Sequence, residues 1–160
     1  MKRALVVLVL VSACGGSSGG GKVNAKASYL ADAEAICATA NTQLAAAKKQ
    51  QPTAVDGVPA YVHKLVDVAR TNLTDLSALT PPSADAVDVK GKLLDPLGQQ
   101  LADGVAFAAQ VDAAAAKKDT AKLTQLVFNP PTKTRVDLAW MKTYGFKACV
   151  TAADTGAAAK

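Results

Sequence analysis

Apolar residues recur at three- and four-residue spacing along most of this chain, and polar residues separate them. The first stripe follows Ser28, a residue type that often caps the start of a helix. Its apolar members are Leu30, Ala33, Ile36, Cys37, Ala40 and Leu44. This spacing puts the apolar side chains on one face of an α-helix, so it predicts a first helix that ends at Lys48-Lys49, before Pro52.

Two further stripes predict a second and a third helix. The second helix starts between Thr53 and Pro59 and ends at Thr80-Pro81-Pro82, because helices rarely continue into the residue before a proline. Its apolar face is formed by Tyr61, Val62, Leu65, Val68, Ala69, Leu76 and Leu79, with Asn72 as one buried polar candidate. The third helix runs from Ser83 to Lys117-Lys118. Pro96 lies inside its stripe, which predicts a kink or a break there.

A fourth helix is expected to begin at Asp119 as its N-cap, and Gly145 is predicted to end it as a left-handed C-cap. Asn129-Pro130-Pro131 interrupts its apolar pattern, and no strand pattern competes anywhere. Four helices with short connections predict an all-α fold, an antiparallel up-down-up-down four-helix bundle over residues 28–150. Residues 151–160 are small and are expected to form a loose C-terminal tail.

The N-terminus has the layout of a signal peptide. Met1-Lys2-Arg3 is basic, Ala4 to Val11 are apolar, and small residues lead to Cys14. The apolar run is too short to span a membrane. The stretch resembles the bacterial lipobox, which implies a signal peptide at 1–13, lipid on Cys14 and anchoring at the extracytoplasmic face of the cell membrane. Residues 14–27 would then be a Gly/Ser-rich flexible tether. The alternative is an ordinary secretory signal with an incidental cysteine.

Cys37 and Cys149 are the two remaining cysteines, and an exported chain favours their pairing in a disulfide. In the expected bundle both lie in the half nearest the tether, which permits the bridge without requiring it. Two separate buried thiols are the alternative.

Composition and charge exclude some functions. The chain has 18 basic and 13 acidic residues, and removal of Lys2 and Arg3 with the signal peptide leaves 16 basic residues. No aromatic platform stands beside a basic run, so nucleic-acid binding is not expected. His63 is the one histidine, and beside Asp56, Asp67 and Arg70 it is interpreted as a surface residue. No metal, cofactor or catalytic set of nucleophile and base is predicted, so the protein is expected not to be an enzyme.

Several short segments together resemble a family. They are Tyr29-Leu30-Ala31-Asp32-Ala33-Glu34-Ala35-Ile36-Cys37 with Asn41, Leu76-x-x-Leu79-x-Pro81-Pro82, Asp119, and Gly145-Phe146-x-x-Cys149. From Ser28 to Cys149 the chain is similar to small exported helical lipoproteins of high-GC bacteria. The resemblance implies a fold and a location, and no reaction. The Asn129-Pro130-Pro131 break departs from the family pattern, in which the fourth helix is uninterrupted.

Two hypotheses for function follow. In the first, a lipid-anchored, non-enzymatic module binds a protein or polymer of the cell envelope. A docking patch for an anionic partner could form from Lys48, Lys49, Lys117 and Lys118. Lysines at helix C-termini are, however, more simply explained by the helix dipole. The alternative is a carrier or sensor for a small apolar ligand, with a pocket opened by Gly98, Gly104 and the alanines of the third helix.

Overall fold

The computed structural model describes residues 21–130 and 134–157, and this described part is all-helical, without a strand. It confirms the all-α class. The helices are α1 Gly21–Lys49, α2 Val58–Ala78, α3 Ala86–Val89, α4 Asp95–Ala116, α5 Thr120–Phe128, α6 Leu138–Tyr144 and α7 Ala148–Ala157. A 3-10 turn, Val55–Gly57, precedes α2, and a π-helical segment, Lys90–Leu94, joins α3 to α4. The predicted signal peptide, Cys14 and residues 14–20 of the predicted tether lie outside the described residues.

Several helix ends lie where local sequence signals put them. The carboxylate of Asp119 accepts a hydrogen bond from the backbone N–H of Lys122 at 2.9 Å, which confirms the predicted cap of α5. Gly145 ends α6 with a φ of 119°, which confirms the predicted left-handed C-cap. Asp137 caps α6 in the same way through the N–H of Trp140, and this cap was not predicted.

Both ends of the described chain are more helical than expected. α1 begins at Gly21, so the prediction that Ser28 caps it is wrong, and residues 21–27 of the predicted tether are helical. The prediction of a loose tail after residue 150 is wrong as far as Ala157, because α7 packs against α1. Burial of Val150 and Ala153 explains the order of this segment.

Pro96 does not break the third helical element. The chain stays helical from Ala86 to Ala116, and the π-helical segment Lys90–Leu94 comes just before the proline. Proline has no N–H for the usual bond to the residue four positions earlier, and a π-turn is one way in which a helix accommodates such a disruption. Val89 and Leu93 remain buried across this segment.

The three long helices run up, down and up. Leu76, near the end of α2, shares a buried cluster with Tyr29, near the start of α1. His63 of α2 contacts Asp112 of α4, while Leu73 lies beside Gly98, so α2 and α4 are also antiparallel.

No single helix fills the fourth position of the expected bundle. α5 ends at Phe128, because Asn129-Pro130 cannot continue it, and packs at the end where α2 begins. α6 and α7 lie at the other end and beside α1. Gly145 sits against Leu30 and Cys149 against Cys37, so this stretch advances in the same direction as α1. The predicted up-down-up-down topology is therefore not confirmed.

The predicted pairing of the two cysteines is confirmed. Cys37 of α1 and Cys149 of α7 form a disulfide with their Cα atoms 4.8 Å apart. Both residues are buried. The bridge ties the last helix of the described chain to the middle of the first.

Most buried side chains of the described residues belong to two clusters rather than to one core. One lies around the start of α1 and the end of α2, with Phe146, Leu76, Leu93 and Met141 almost fully buried. The other lies at the opposite end, among α2, α4 and α5, around Val62, Val111 and Leu123. No helix within the described ranges is long and apolar enough to cross a bilayer.

Candidate functional site

A cavity of about 410 Å³ lies among α1, α2, α4 and α7, between the two buried clusters. Its wall includes Val62 and Val66 of one cluster, and Cys37, Leu76 and Met141 of the other. Small-molecule sites have volumes of roughly 300–1,000 Å³ and mainly apolar walls. The size and lining of this cavity therefore match those of a ligand site.

The cavity exists because the bundle lacks a fourth long helix. α2 packs on α1 and on α4, whereas α1 and α4 make no extensive contact with each other along the described chain. α7 covers only part of the resulting channel, and its residues there include Ala152 and Ala153. Small side chains leave the space that larger ones would fill.

Of the two glycines expected to open a pocket, the structure places one at the cavity. Gly104 lines it, and a Cβ added there would make an ordinary contact with Val66 at 3.7 Å. Gly98 faces Leu73 instead and lines a separate, shallower depression on the surface. Of the residues of the third helix that were expected to open a pocket, Gly104 lines the cavity, whereas Gly98 and the alanines of α4 do not.

The cavity is long and closed at one end. On α2 its wall runs from Tyr61 to Leu76, which spans about 22 Å at the rise of an α-helix. The closed end is formed by Leu76, Leu93, Met141 and the Cys37–Cys149 disulfide, all buried. A ligand inside would meet aliphatic and sulfur atoms at that end.

Polar residues lie at the open side. The Arg135 Nε donates a hydrogen bond to Asp103 Oδ2 at 2.7 Å, and both side chains line the cavity while staying 41% exposed. The backbone N–H of Arg135 donates to Gln100 Oε1 at 3.4 Å. The hydrogen bond to Asp103 and its negative charge raise the pKa of the Arg135 guanidinium above its ordinary value, so this group is always charged. Lys48 of α1 also lines the cavity.

Asn72 is the polar residue deeper in the wall. Its Nδ2 is buried and has no hydrogen-bond partner among the described residues. Asn72 lies on the apolar seam of α2, as expected, but the residue as a whole is only partly buried. Tyr61, further along the same helix, also lines the cavity, and burial raises the pKa of its hydroxyl.

The four lysines of the predicted docking patch lie at one end of the molecule. Lys48 and Lys49 end α1 and Lys117 and Lys118 follow α4, and both helices finish near the start of α2. Acidic residues share that end, since Asp56 is in the turn before α2 and Asp119 follows Lys118 directly. Lys118 also has a positive φ of 54°, where the backbone N–H of Asp119 bonds the carbonyl of Ala114 and closes α4.

His63 is an exposed surface residue, as expected, but its partner is on another helix. Its Nε2 lies 2.9 Å from Asp112 Oδ2, and both side chains are about half exposed. Asp56, Asp67 and Arg70, which share its helical face, are not the partners. No group of three or more His, Cys, Asp or Glu side chains within residues 21–130 and 134–157 could hold a metal ion.

Two polar contacts could not be found by sequence reasoning. Arg135 and Asp103 are 32 positions apart and lie in unrelated patterns. The carboxylate of Glu34 accepts hydrogen bonds from the backbone N–H groups of Lys147 and Ala148, each at 2.8 Å, although these residues are more than 100 positions away. Glu34 thus caps α7 from the middle of α1. No local sequence pattern predicts this cap or the contact between Arg135 and Asp103.

The chain matches no protein-family model, no curated protein and no solved structure. The case for its function therefore depends on the cavity and on the residues that line it.

Proposed function

We propose that this protein is a carrier or sensor for a small apolar ligand, which binds in the cavity among α1, α2, α4 and α7. The observation that supports this proposal is the cavity itself, which has a volume of about 410 Å³ and a mainly aliphatic wall. Protein interiors are normally packed to the density of organic crystals, because empty space forfeits dispersion contacts. A ligand that filled this space would restore those contacts.

We also propose that the domain works at the outer face of the cell membrane, as a relative of the small exported lipoproteins that it resembles. The lipobox pattern at Cys14 supports this location, and the Cys37–Cys149 bridge suits an oxidising compartment. A diacylglyceryl group carries two chains, which is the number that stable anchoring requires. Cys14→Ser is expected to release the protein from membranes, and full membrane retention of that variant would contradict the anchor.

Docking to an envelope protein or polymer through Lys48, Lys49, Lys117 and Lys118 remains the second hypothesis. The topology that brings both lysine pairs to one end supports it. Asp56 and Asp119 at the same end reduce the positive electrostatic potential that an anionic polymer would meet. Exposed opposite charges also attract each other only weakly, because dissolved salt screens them. The geometry therefore favours the cavity over the lysines as the site of function.

A neutral apolar dye, N-phenyl-1-naphthylamine, tests the proposal through its fluorescence increase on entering an apolar site. We expect saturable binding with one dye molecule per chain. Leu101 lines the cavity, so Leu101→Trp should fill part of it and weaken dye binding about tenfold, a loss of about 1.4 kcal/mol.

Val105 provides the matched control, because it lies one turn further along α4 and is 41% exposed. Val105→Trp adds the same side chain outside the cavity and should leave dye binding unchanged. Circular dichroism would verify that both variants keep their helices. Absence of saturable binding, or equal losses in the two variants, would contradict a cavity ligand.

A further inference from the structure

The shape of the cavity limits the kind of molecule that it can hold. The residues of α2 that line this cavity of about 410 Å³ extend over about 22 Å, from Tyr61 to Leu76, so its wall is elongated along the helix. A linear chain could lie lengthwise along such a wall. The lining is mostly aliphatic, with Leu44, Leu65, Leu97 and Leu101 on three helices.

The charge of the wall is concentrated at the open side. Arg135 and Lys48 are the cationic residues of the lining and Asp103 is the acidic one, so the lining carries a net charge of +1. The closed end, formed by Leu76, Leu93 and Met141, carries no charged group. A ligand charge would therefore be stable at the opening and would be costly at the closed end.

Arg135 is suited to bind an anion while it stays paired with Asp103. A guanidinium has five N–H donors in a planar fork, and the contact with Asp103 uses the Nε–H. The pair is only half exposed, and Asp103 holds the guanidinium in place beside the cavity. The remaining donors can form charge-assisted bonds with a carboxylate or phosphate, and such bonds are about twice as strong as neutral ones.

We propose that the ligand is a single-chain anionic amphiphile, which extends its aliphatic chain toward Leu76 and Met141 and places its anionic group against Arg135. This inference rests on the proposed function, since it names the class of ligand that the cavity takes. Arg135 selects for the anion, and Asp103 limits the affinity by competing for the same guanidinium.

Three ligands with one ten-carbon chain test the charge preference. Decanoate, 1-decanol and decylammonium displace N-phenyl-1-naphthylamine from the purified protein at pH 7 and low salt. We expect decanoate to bind about tenfold more tightly than 1-decanol, and decylammonium to bind most weakly. Added salt should weaken decanoate binding and leave the neutral dye unaffected.

Two variants should move the decanoate affinity in opposite directions. Arg135→Gln removes the cation and should lower decanoate binding about tenfold, to the level of 1-decanol. Asp103→Asn removes the competing negative charge but keeps an oxygen that can accept from Arg135, so it should raise decanoate binding. Arg70→Gln, on an exposed arginine of α2 away from the cavity wall, removes the same charge as a matched control and should change nothing.

The outcomes separate the two proposals. If the dye binds but decanoate shows no advantage over 1-decanol, the anionic ligand is wrong and the cavity function stands. If Arg135→Gln and Asp103→Asn weaken dye and decanoate alike, the pair has a structural role only, and the assignment of Arg135 is wrong. If the dye itself does not bind, the proposed function is wrong as well.

Discussion

At the scale of single residues, the amide nitrogen of Asn72 is one of three buried side-chain atoms that have no hydrogen-bond partner among the described residues. A buried donor without an acceptor costs free energy, whereas an apolar side chain of similar shape has no such cost. Asn41 is the useful comparison, since its Nδ2 donates to the carbonyl of Ala148 at 2.9 Å. Asn41 thus has one bonded and one unbonded amide atom, because its buried Oδ1 has no partner among the described residues, whereas the buried Nδ2 of Asn72 has no bond of this kind.

We therefore predict opposite effects for the same substitution at the two positions. Asn72→Leu should raise the free energy of unfolding by about 1 kcal/mol, and it should not weaken dye binding in the cavity. Asn41→Leu should lower it by about 0.5–1 kcal/mol, because the hydrogen bond to the carbonyl of Ala148 is lost while the unpartnered Oδ1 is removed as well. Urea unfolding measures both, and destabilisation by Asn72→Leu equal to that by Asn41→Leu would contradict the unsatisfied state of Asn72.

Glu34 stabilises α7 from a distance of more than 100 residues in sequence. Its carboxylate accepts from the N–H groups of Lys147 and Ala148, and more weakly from that of Cys149 at 3.4 Å. These groups are at the N-terminus of α7, where the helix would otherwise leave donors unpaired and where negative charge is favoured.

Glu34→Ala should lower the free energy of unfolding by about 1–2 kcal/mol, as the loss of a helix cap does. Amide hydrogen exchange should accelerate first in α7, because that helix loses its cap. Asp32→Ala is the control, since Asp32 is an exposed acid on the same helix for which the structure shows no bond to α7. Equal losses for the two variants would refute a specific cap by Glu34.

At the scale of elements, Gly145 and Gly91 differ in backbone conformation and in the space around them. Gly145 has a φ of 119°, and a Cβ there would lie 3.1 Å from Leu30 Cδ1. Gly91 is in the π-helical segment, and a Cβ there would meet nothing within 4 Å. The effect of a substitution at Gly145 is therefore determined by backbone conformation, and the effect at Gly91 is determined by helix propensity.

Gly145→Ala should thus destabilise the protein by about 1–3 kcal/mol, while Gly91→Ala should stabilise it by about 0.5–1 kcal/mol. Thermal unfolding of both variants beside the wild type measures the two shifts. Destabilisation by Gly91→Ala would mean that the π-helical segment needs the flexibility of glycine, contrary to its open surroundings.

Elements with local signals could be predicted, and elements made by distant contacts could not. Asp119 acts through a side-chain bond to its own helix, and Gly145 and the prolines after Leu79 act through their own backbones, so these signals are readable in the sequence. α7 is different, because Val150 and Ala153 become an apolar face only when α1 is beside them. The π-helical segment before Pro96 was not predicted either, and Val89 and Leu93 stay buried there.

At the scale of the whole molecule, the end of α5 at Phe128 determines where the cavity forms. The expected four-helix bundle would have a continuous core, but α5 ends at Phe128 and the chain returns as two short helices. As a result, the two buried clusters are separated by a cavity. The sequence indicated that small residues could open a pocket, and Gly104 does line it. The position of Arg135 beside Asp103 depends on how the chain returns after Asn129-Pro130, which no pattern in the sequence specifies.

The last prediction concerns the disulfide that holds this incomplete bundle together. The bridge joins residues 112 positions apart, so in the chain-entropy model it stabilises the fold by about 4–5 kcal/mol. The Cys37→Ala, Cys149→Ala double variant should lose about that much in urea unfolding. Because the bridge attaches α7 to α1 in the cavity wall, dye binding should weaken too.

Two comparisons separate the effect of the bridge from the loss of the side chains. The single variant Cys37→Ala should be about as unstable as the double variant, because either change opens the same loop. Wild-type protein unfolded and refolded under reducing conditions keeps both sulfur atoms and should show a similar loss. If reduced wild-type protein were as stable as oxidised protein and bound the dye equally well, α7 would be held by Glu34 and its buried apolar face alone, and the disulfide would be dispensable for the cavity.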